Sequence, residues 1–306
     1  MNHLKTLPVN GERHFDGGDR WVTVSTPPPV TFGCVDTFER WREDVLDRKH
    51  PPRYLHAPPG SRLSAFRIGA GSLVLMGAPP ASGKTAFTLQ VAIDALRGLG
   101  QDSLRAMISN VEMPPGALFD RVLTRFTGVG YSFIQERTYD ESARPRLIAA
   151  MDEMREFMPR LAFMTPPFTL ENLTEQASGF DADLIVVDYV QRFAPSKGSS
   201  DARQQTGAVM DCLRRLCDDG RAVLAISAVN RAGYAKDATI AAFRESSELE
   251  FGADAAWLLI REGDSAAVTL RCVKNRHGRL EEVQLLFDGS KQEFSDDPAE
   301  FSWQPE

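Results

Sequence analysis

The segment GAPPASGKT, from Gly77 to Thr85, follows the apolar run 72–76 and opens a helical pattern. A phosphate-binding P-loop needs this context, because it aims backbone N–H groups and a helix N-terminus at phosphate oxygens. Lys84 suits the outer phosphates, and the Thr85 hydroxyl suits magnesium. The strict P-loop pattern has glycine at the position of Ala78, so the match is incomplete. The assignment therefore also depends on the apolar run before the segment and the helical pattern after it. The predicted nucleotide-binding residues are Gly77, Ala78, Ser82, Gly83, Lys84, Thr85 and Ala86.

Length and composition are those of a soluble globular protein, with 306 residues, 42% hydrophobic and 25% charged. The net charge of −7 argues against a surface that coats nucleic acid broadly, but it leaves room for a small basic channel. No apolar run approaches the roughly 20 residues that span a bilayer, and the N-terminus lacks the apolar centre of a signal peptide. We expect a cytoplasmic protein with no membrane partner. Its scattered cysteines predict reduced thiols rather than disulfides or a metal site: Cys34, Cys212, Cys217 and Cys272.

From residue 72 onward, buried strand patterns alternate with helical patterns, which is typical of a parallel sheet with crossover helices. We therefore predict an α/β fold with a mostly parallel central sheet flanked by helices, and antiparallel hairpin strands near the C-terminus. The predicted parallel strands are 72–76, 104–109, 161–164, 184–188 and 222–227, and apolar runs after Phe251 predict the hairpin strands. The predicted helices are 84–97, 115–127, 142–157, 169–178 and 202–218.

Two acidic residues follow predicted strands on the P-loop side of the sheet. Asp188 ends LIVVD and fits the aspartate that holds magnesium opposite a P-loop hydroxyl, although many buried strands end in aspartate by chance. Glu112 follows the strand 104–109 and is either a group that polarises water or a solvated loop residue. If strands 72–76, 104–109 and 184–188 are neighbours, their carboxyl ends converge on the nucleotide.

The predicted organisation has four parts. Residues 1–35 form an extended or partly disordered arm, 36–60 a linker helix with a proline-rich strap, 61–294 the ATPase domain, and 295–306 an acidic tail. Phe38, Trp41 and Val45 make a narrow apolar stripe on the linker helix. This stripe packs either on its own domain or on a neighbouring subunit.

Several short segments occur in one order along the chain: NVEM at 110–113, DYVQ at 188–191, RQQ at 203–205, SAVNR at 227–231, RES at 244–246 and KNRHG at 274–278. This order and spacing resemble the ATPase domain of the DnaB-type hexameric replicative helicases, which have a RecA-like fold. The resemblance covers Phe38 to Phe294. It implies the cofactors ATP and Mg²⁺, and an ATP hydrolase that acts as a DNA helicase.

The resemblance also implies individual roles. Lys84 grips phosphates, Thr85 and Asp188 hold magnesium, and Glu112 is the catalytic glutamate. Lys274 and Arg276 resemble a pair that an adjacent subunit inserts to stabilise charge on the γ-phosphate, a task that suits a permanently charged guanidinium. From the sequence alone, a cationic hairpin tip in water is the simpler interpretation of this pair.

The stretches 193–202 and 231–243 fall where the family places its two loops that face single-stranded DNA. In a hexameric ring their few cations repeat around a channel, which reconciles DNA binding with an acidic chain. Movement toward the 3′ end of the bound strand and docking of the linker helix on the next subunit are also implied. The implied DNA-binding residues are Arg192, Lys197, Arg231, Lys236, Arg244 and Glu245, with Tyr234 beside them.

The chain departs from the family pattern at Ala228, where a glutamine is usual, and at Ser247, where a glycine is usual. The family's helical N-terminal domain is also absent before Asp36, so we expect a compact helicase of a phage, plasmid or other mobile element. The sequence does not identify a loader or primase partner. Two alternatives remain at this point: a non-unwinding RecA-like ATPase that switches assembly or partner binding, and a recombinase-like filament former.

Overall fold

A computed structural model describes residues 13–15, 21–23, 34–47, 54–55, 61–98, 103–193, 202–229, 239–243 and 252–297. The chain divides into two compact units, Met1–Pro51 and Pro52–Glu306. In the first unit, the short strands β1 (Arg13–Phe15) and β2 (Trp21–Thr23) pair antiparallel, and α1 (Cys34–Asp47) follows. Phe38, Trp41 and Val45 are each more than half exposed on α1, and the Phe38 and Trp41 rings lie 5.6 Å apart.

The second unit alternates strands and helices. Its strands are β3 (Tyr54–Leu55), β4 (Ile68–Gly69), β5 (Leu73–Ala78), β6 (Ala106–Asn110), β7 (Leu161–Phe163), β8 (Leu184–Asp188), β9 (Ala222–Ala228), β10 (Ala255–Arg261), β11 (Ala267–Asn275), β12 (Glu282–Asp288) and β13 (Glu293–Asp296). Its helices are α2 (Lys84–Arg97), α3 (Pro115–Thr127), α4 (Tyr131–Glu136), α5 (Arg144–Phe157), α6 (Leu170–Phe180) and α7 (Ala202–Asp218).

Nine strands form the central sheet in the order β13-β12-β11-β10-β5-β9-β8-β6-β7. The pairs from β10 through β7 are parallel, whereas β10 to β13 pair antiparallel in sequence order. The predicted α/β class is therefore confirmed. Of the three strands whose neighbourhood would make their ends converge, β6 and β8 are neighbours, but β9 lies between β5 and β8. Chain-distant crossovers decide that order, and local pattern does not report them.

The sheet separates two hydrophobic clusters, because alternate side chains of its buried strands point to opposite faces. On one face, α2, α3 and α5 pack on β5, β6 and the hairpin strands. On the other, α6 and α7 pack on β5, β8, β9 and β10. Cys212, Cys217 and Cys272 are free and buried, so these three are core thiols.

The predicted acidic tail is shorter than expected, because β13 extends to Asp296 and pairs with β12. The Asp296 carboxylate accepts hydrogen bonds from the Arg62 amide at 2.8 Å and the Ser61 hydroxyl at 3.3 Å. These contacts join the end of the sheet to the start of the domain. Within the described ranges, no helix is both long and apolar enough to cross a membrane.

Candidate nucleotide site

The loop between β5 and α2 has the shape that phosphate binding requires. Gly83, with φ of +91°, precedes α2, which begins at Lys84. Glycine suits this position because a left-handed backbone is strained for other residues, and a Cβ here would lie 2.9 Å from the Phe294 ring. The Ser82 hydroxyl donates to the Pro79 carbonyl at 2.8 Å and closes the loop. As at any helix N-terminus, the first N–H groups of α2 have no acceptor within the helix itself.

The other three predicted nucleotide residues, Gly77, Ala78 and Ala86, offer no polar side chain to a phosphate. Gly77 and Ala78 belong to β5 and are buried in the sheet. A Cβ on Gly77 would lie 2.5 Å from Val229 and 2.6 Å from Phe243, so packing explains this glycine. Ala86 is buried in the core, and only its backbone N–H remains for a phosphate. The early glycine is therefore part of the strand and not of the phosphate loop.

The side chains of Thr85 and Asp188 meet, although Thr85 lies in the first turn of α2 and Asp188 ends β8. The Thr85 hydroxyl donates to Oδ2 of Asp188 at 2.7 Å. The amide of Asn110 donates to the same oxygen at 2.8 Å, because Asn110 and Asp188 are cross-strand neighbours in the β6–β8 pair. The structure thus brings together the P-loop hydroxyl and the strand-end aspartate, as the sequence predicted.

Asn110 is a site residue that the sequence reasoning did not single out. Its side-chain oxygen accepts the backbone N–H groups of Glu112 at 3.0 Å and Met113 at 2.7 Å. One buried amide therefore links Asp188 to the turn that carries Glu112, whose side chain is exposed. A polar residue at the end of a buried strand, two positions before Glu112, was the signal available.

The electrostatics of Asp188 fit a divalent cation. Burial raises the pKa of Asp188 and the charge of Glu112 adds to this, while the hydrogen bond from Thr85 and the charge of Lys84 oppose it. Oδ1 of Asp188 is buried and has no hydrogen-bond partner within the described ranges. An ion such as Mg²⁺ prefers carboxylate and hydroxyl oxygens, and it would compensate this charge. Thr85 and Asp188 are the residues that would hold it.

The predicted DNA-binding residues fall mostly on segments that are not described. Lys197, Arg231, Tyr234, Lys236, Arg244 and Glu245 lie outside the described residues, as does Ser247. Arg192 is described and exposed, and it ends a short turn after β8. Two cations lie near the Tyr189 ring: its centroid is 6.0 Å from the Arg192 guanidinium and 5.9 Å from Lys84 Nζ.

Ala228, where the resemblance expects a glutamine, ends β9 and is exposed. Its backbone N–H donates to Oε1 of Gln191 at 3.3 Å, and Nε2 of Gln191 donates to the Ser227 hydroxyl at 2.9 Å. Gln191 follows β8 in the DYVQ segment. An amide from the turn after β8 therefore contacts the end of β9, but the Ala228 side chain itself offers no polar group.

Arg276 and Lys274 lie away from this cluster. Arg276 follows β11, and its guanidinium contacts Oδ1 of Asp254 at 3.3 Å. The Asp254 carboxylate in turn accepts the Leu73 amide, the first residue of β5, at 2.9 Å. The P-loop leaves the other end of β5, so the strand alone separates the two by roughly 16 Å. The structure does not bring Arg276 to Lys84 of the same chain.

Residues 66–296 match the family model described as the DnaB-like helicase C terminal domain. Among curated proteins, a probable plasmid replicative DNA helicase of Chlamydia trachomatis serovar L2 is 23% identical over 236 residues, covering 74% of this chain and 51% of that protein. The replicative DNA helicase DnaB of Treponema pallidum is 25% identical over 224 residues, covering 71% and 50%. The chain spans about half the length of these curated relatives.

Two solved structures share the fold. One is an ATPase domain that superposes with a TM-score of 0.74 at 19% identity, covering 87% of this chain and 99% of that one. The other, a DnaB-like replicative helicase solved in a study of its interactions with primase, gives 0.72 at 18% identity and covers 87% and 67%. The RecA-like fold expected from the sequence is thereby confirmed.

Proposed function

Because this chain belongs to the DnaB-like helicase C-terminal domain family, we propose that it is an ATP-dependent, ring-forming DNA helicase or translocase. It hydrolyses ATP with Mg²⁺ at subunit interfaces and moves on single-stranded DNA toward the 3′ end, in a hexameric ring. Replication of a plasmid, phage or other mobile element in the cytoplasm is the proposed setting, and similarity to plasmid replicative helicases supports it.

One observation carries this proposal: the site is split between the two ends of β5. Lys84, Thr85, Glu112 and Asp188 form the phosphate half-site at the carboxyl end of the sheet. Arg276, with Lys274 near it, forms the finger half-site at the opposite end of β5. On this proposal, a complete site requires a second copy of the chain in a head-to-tail arrangement. Such an arrangement either closes as a ring or continues as a filament, and we propose the ring.

The exposed stripe of α1 supplies a second contact between copies. A groove of about 430 Å³ on the ATPase unit has mainly apolar walls from α3, α4 and α5. We propose that Phe38, Trp41 and Val45 of one copy dock in the groove of the next. Changing Trp41 to Ser should weaken assembly, which multi-angle light scattering would measure. The apolar side chains that line the groove are Phe119, Leu123, Ile134, Leu147, Met151, Met154 and Met158, and the rest of the lining is Gly116, Asp120, Arg137, Tyr139 and Arg155.

The direct test is ATP hydrolysis with and without single-stranded DNA, together with strand displacement from a forked duplex. Wild-type protein should show DNA-stimulated hydrolysis and unwinding, whereas Glu112→Gln and Arg276→Ala should each lose at least about a hundredfold in turnover. Absence of DNA stimulation and of unwinding in the wild type would contradict the helicase role. Full activity in Arg276→Ala would contradict the shared site.

Mixed rings test whether the two half-sites come from different copies. Glu112→Gln retains a finger half-site and Arg276→Ala retains a phosphate half-site. If the two chains are co-expressed and mix at random, about a quarter of the interfaces unite both intact halves. Single-turnover hydrolysis counts these interfaces without requiring them to act in succession. If both groups had to act within one chain, the mixture would recover none.

A second candidate is a RecA-like ATPase that uses nucleotide to switch assembly without unwinding DNA. Ala228 favours it, because its side chain cannot sense a phosphate where the family usually has glutamine. Such a protein would hydrolyse ATP at the same rate with and without DNA. If the missing amide is what uncouples hydrolysis from DNA, Ala228→Gln should gain a DNA stimulation that the wild type lacks. A wild type that DNA already stimulates would contradict this candidate.

A further inference from the structure

Several groups around the finger half-site form hydrogen bonds with Asp254. It immediately precedes β10, and its side chain is 9% exposed. Oδ2 accepts the Leu73 amide at 2.9 Å and Nη1 of Arg214 at 3.0 Å, while Oδ1 faces Nη1 of Arg276 at 3.3 Å. Its backbone carbonyl also accepts the Arg276 N–H at 2.8 Å. The carboxylate is thus held on one side and presents its other oxygen to Arg276.

Arg214 makes this arrangement rigid. It lies on α7, and its second amino group donates to the Gly252 carbonyl. The guanidinium therefore links α7 to the residues just before β10. Burial opposes ionisation of Asp254, but the hydrogen bonds from Arg214 and Leu73 and the nearby arginine charges outweigh it and hold the pKa of Asp254 below its usual value. A buried, ionised and doubly anchored carboxylate is a fixed point for a flexible arginine.

We propose that Asp254 is a positioning residue for Arg276, and that it sets where this guanidinium leaves the chain to reach the nucleotide of the next copy. This role rests on the proposed function, because it gives Arg276 a task only if Arg276 acts on a second copy. A free arginine side chain samples many rotamers, and ordering it beforehand removes that cost from each catalytic encounter. Arg214 is the support that keeps the Asp254 carboxylate in place.

The competing explanation is structural, because Asp254 also binds Leu73 at the start of the P-loop strand. The two explanations predict different recovery of activity when Asp254→Asn is mixed with other variants in one ring. If Asp254 serves Arg276, an Asp254→Asn chain has a damaged finger half-site and an intact phosphate half-site. If Asp254 mainly supports β5, the phosphate half-site is damaged as well.

The experiment co-expresses Asp254→Asn with each reference variant and measures single-turnover hydrolysis. Alone, Asp254→Asn should lose on the order of tenfold to a hundredfold in rate, with ATP affinity unchanged within about twofold. Paired with Glu112→Gln, it should recover competent interfaces, about a quarter of the total. Paired with Arg276→Ala, it should recover no more than Asp254→Asn contributes alone, because both chains lack a working finger.

Recovery beside Arg276→Ala, or none beside Glu112→Gln, would overturn the positioning role. If Asp254→Asn does not fold, Arg214→Gln decides instead, with a smaller loss in rate and the same pairing pattern. Arg271→Gln is the matched control, since its ion pair with Glu282 lies on the same hairpin away from the finger. If the pair Glu112→Gln and Arg276→Ala itself recovers nothing, the shared site of the proposed function fails, independently of Asp254.

Discussion

The ion pair between Asp94 and Arg125 joins the P-loop helix α2 to α3, the helix that follows Glu112. The contact is bidentate, with both nitrogen–oxygen distances at 2.8 Å. The Asp94 side chain is 2% exposed and that of Arg125 is 13% exposed. Arg97 approaches the same carboxylate at only 3.9 Å, and its side chain is 41% exposed. The negative charge of the Asp94 carboxylate is therefore compensated mainly by Arg125.

Replacing Arg125 with Met leaves a buried carboxylate without its main partner. Breaking such a pair costs about 3–5 kcal/mol of unfolding free energy, and the weak contact to Arg97 places the expected loss near the lower bound, at about 3 kcal/mol. Removing both charges should restore most of it, because a well-packed apolar pair can replace a buried ion pair at little cost. The Asp94→Leu, Arg125→Met double variant should therefore lie within about 1 kcal/mol of wild type.

Guanidinium unfolding of the four proteins of this cycle measures the coupling directly. In thermal unfolding, the single variant should melt roughly 6–12 °C lower, given about 2–4 °C per kcal/mol for domains of this size. Arg155→Met is the control, because its pair with Asp152 joins side chains that are 78% and 59% exposed; it should change stability by less than about 0.5 kcal/mol. A loss below about 1 kcal/mol for Arg125→Met, or a double variant as unstable as the sum of the singles, would refute the reasoning.

Asp188→Asn should stabilise the nucleotide-free protein by about 1 kcal/mol and so raise its melting temperature, because burial disfavours the Asp188 carboxylate until a cation compensates its charge. The same change should abolish ATP hydrolysis. Gly83→Ala should lose about 1–2 kcal/mol and much of its nucleotide affinity, measured by calorimetry, since the left-handed backbone is strained for alanine and the new methyl group meets Phe294. Asn110→Ala should lower turnover more than ATP affinity, because the turn carrying Glu112 loses both acceptor contacts. The pKa of Asp254 is lowered on folding, so its stabilising contribution is present above the unfolded pKa of about 3.9 and is lost as the pH falls through the folded value. The stability difference between wild type and Asp254→Asn should therefore shrink in acid titrations below about pH 4.

Local pattern was sufficient for the elements around the P-loop. A buried strand, a tight loop and a helix beginning at Lys84 follow one another within a short stretch, so their interactions are close in sequence. The helix predicted over 84–97 has those bounds in the structure. By contrast, β13 was not predicted as a strand, because it has only four residues and its stability comes from distant partners. The buried Gln90 side chain exchanges two hydrogen bonds with the Phe294 backbone, each 2.8 Å long.

Register explains why the sequence missed Asn110. Its role depends on lying opposite Asp188, and a shift of one residue between β6 and β8 would turn it to the other face of the sheet. The role of Asp254 was missed for a similar reason, because it depends on contacts between residues far apart in the sequence. Its contacts to Arg276, Arg214 and Leu73 span 22, 40 and 181 positions. Sequence resemblance could assign a role to Arg276, but only the folded chain identifies what holds it.

The position of β5 constrains how the proposed ring of such chains would work. This strand is fully buried and is paired on both sides, so it is among the stiffest parts of the unit. One end begins at Leu73 beside Asp254, and the other leads into the P-loop. The distance between the finger half-site and the phosphate half-site of one copy is therefore fixed. If interfaces open and close during hydrolysis, whole copies must move against each other, and each closure carries the distant half-site of the same copy with it.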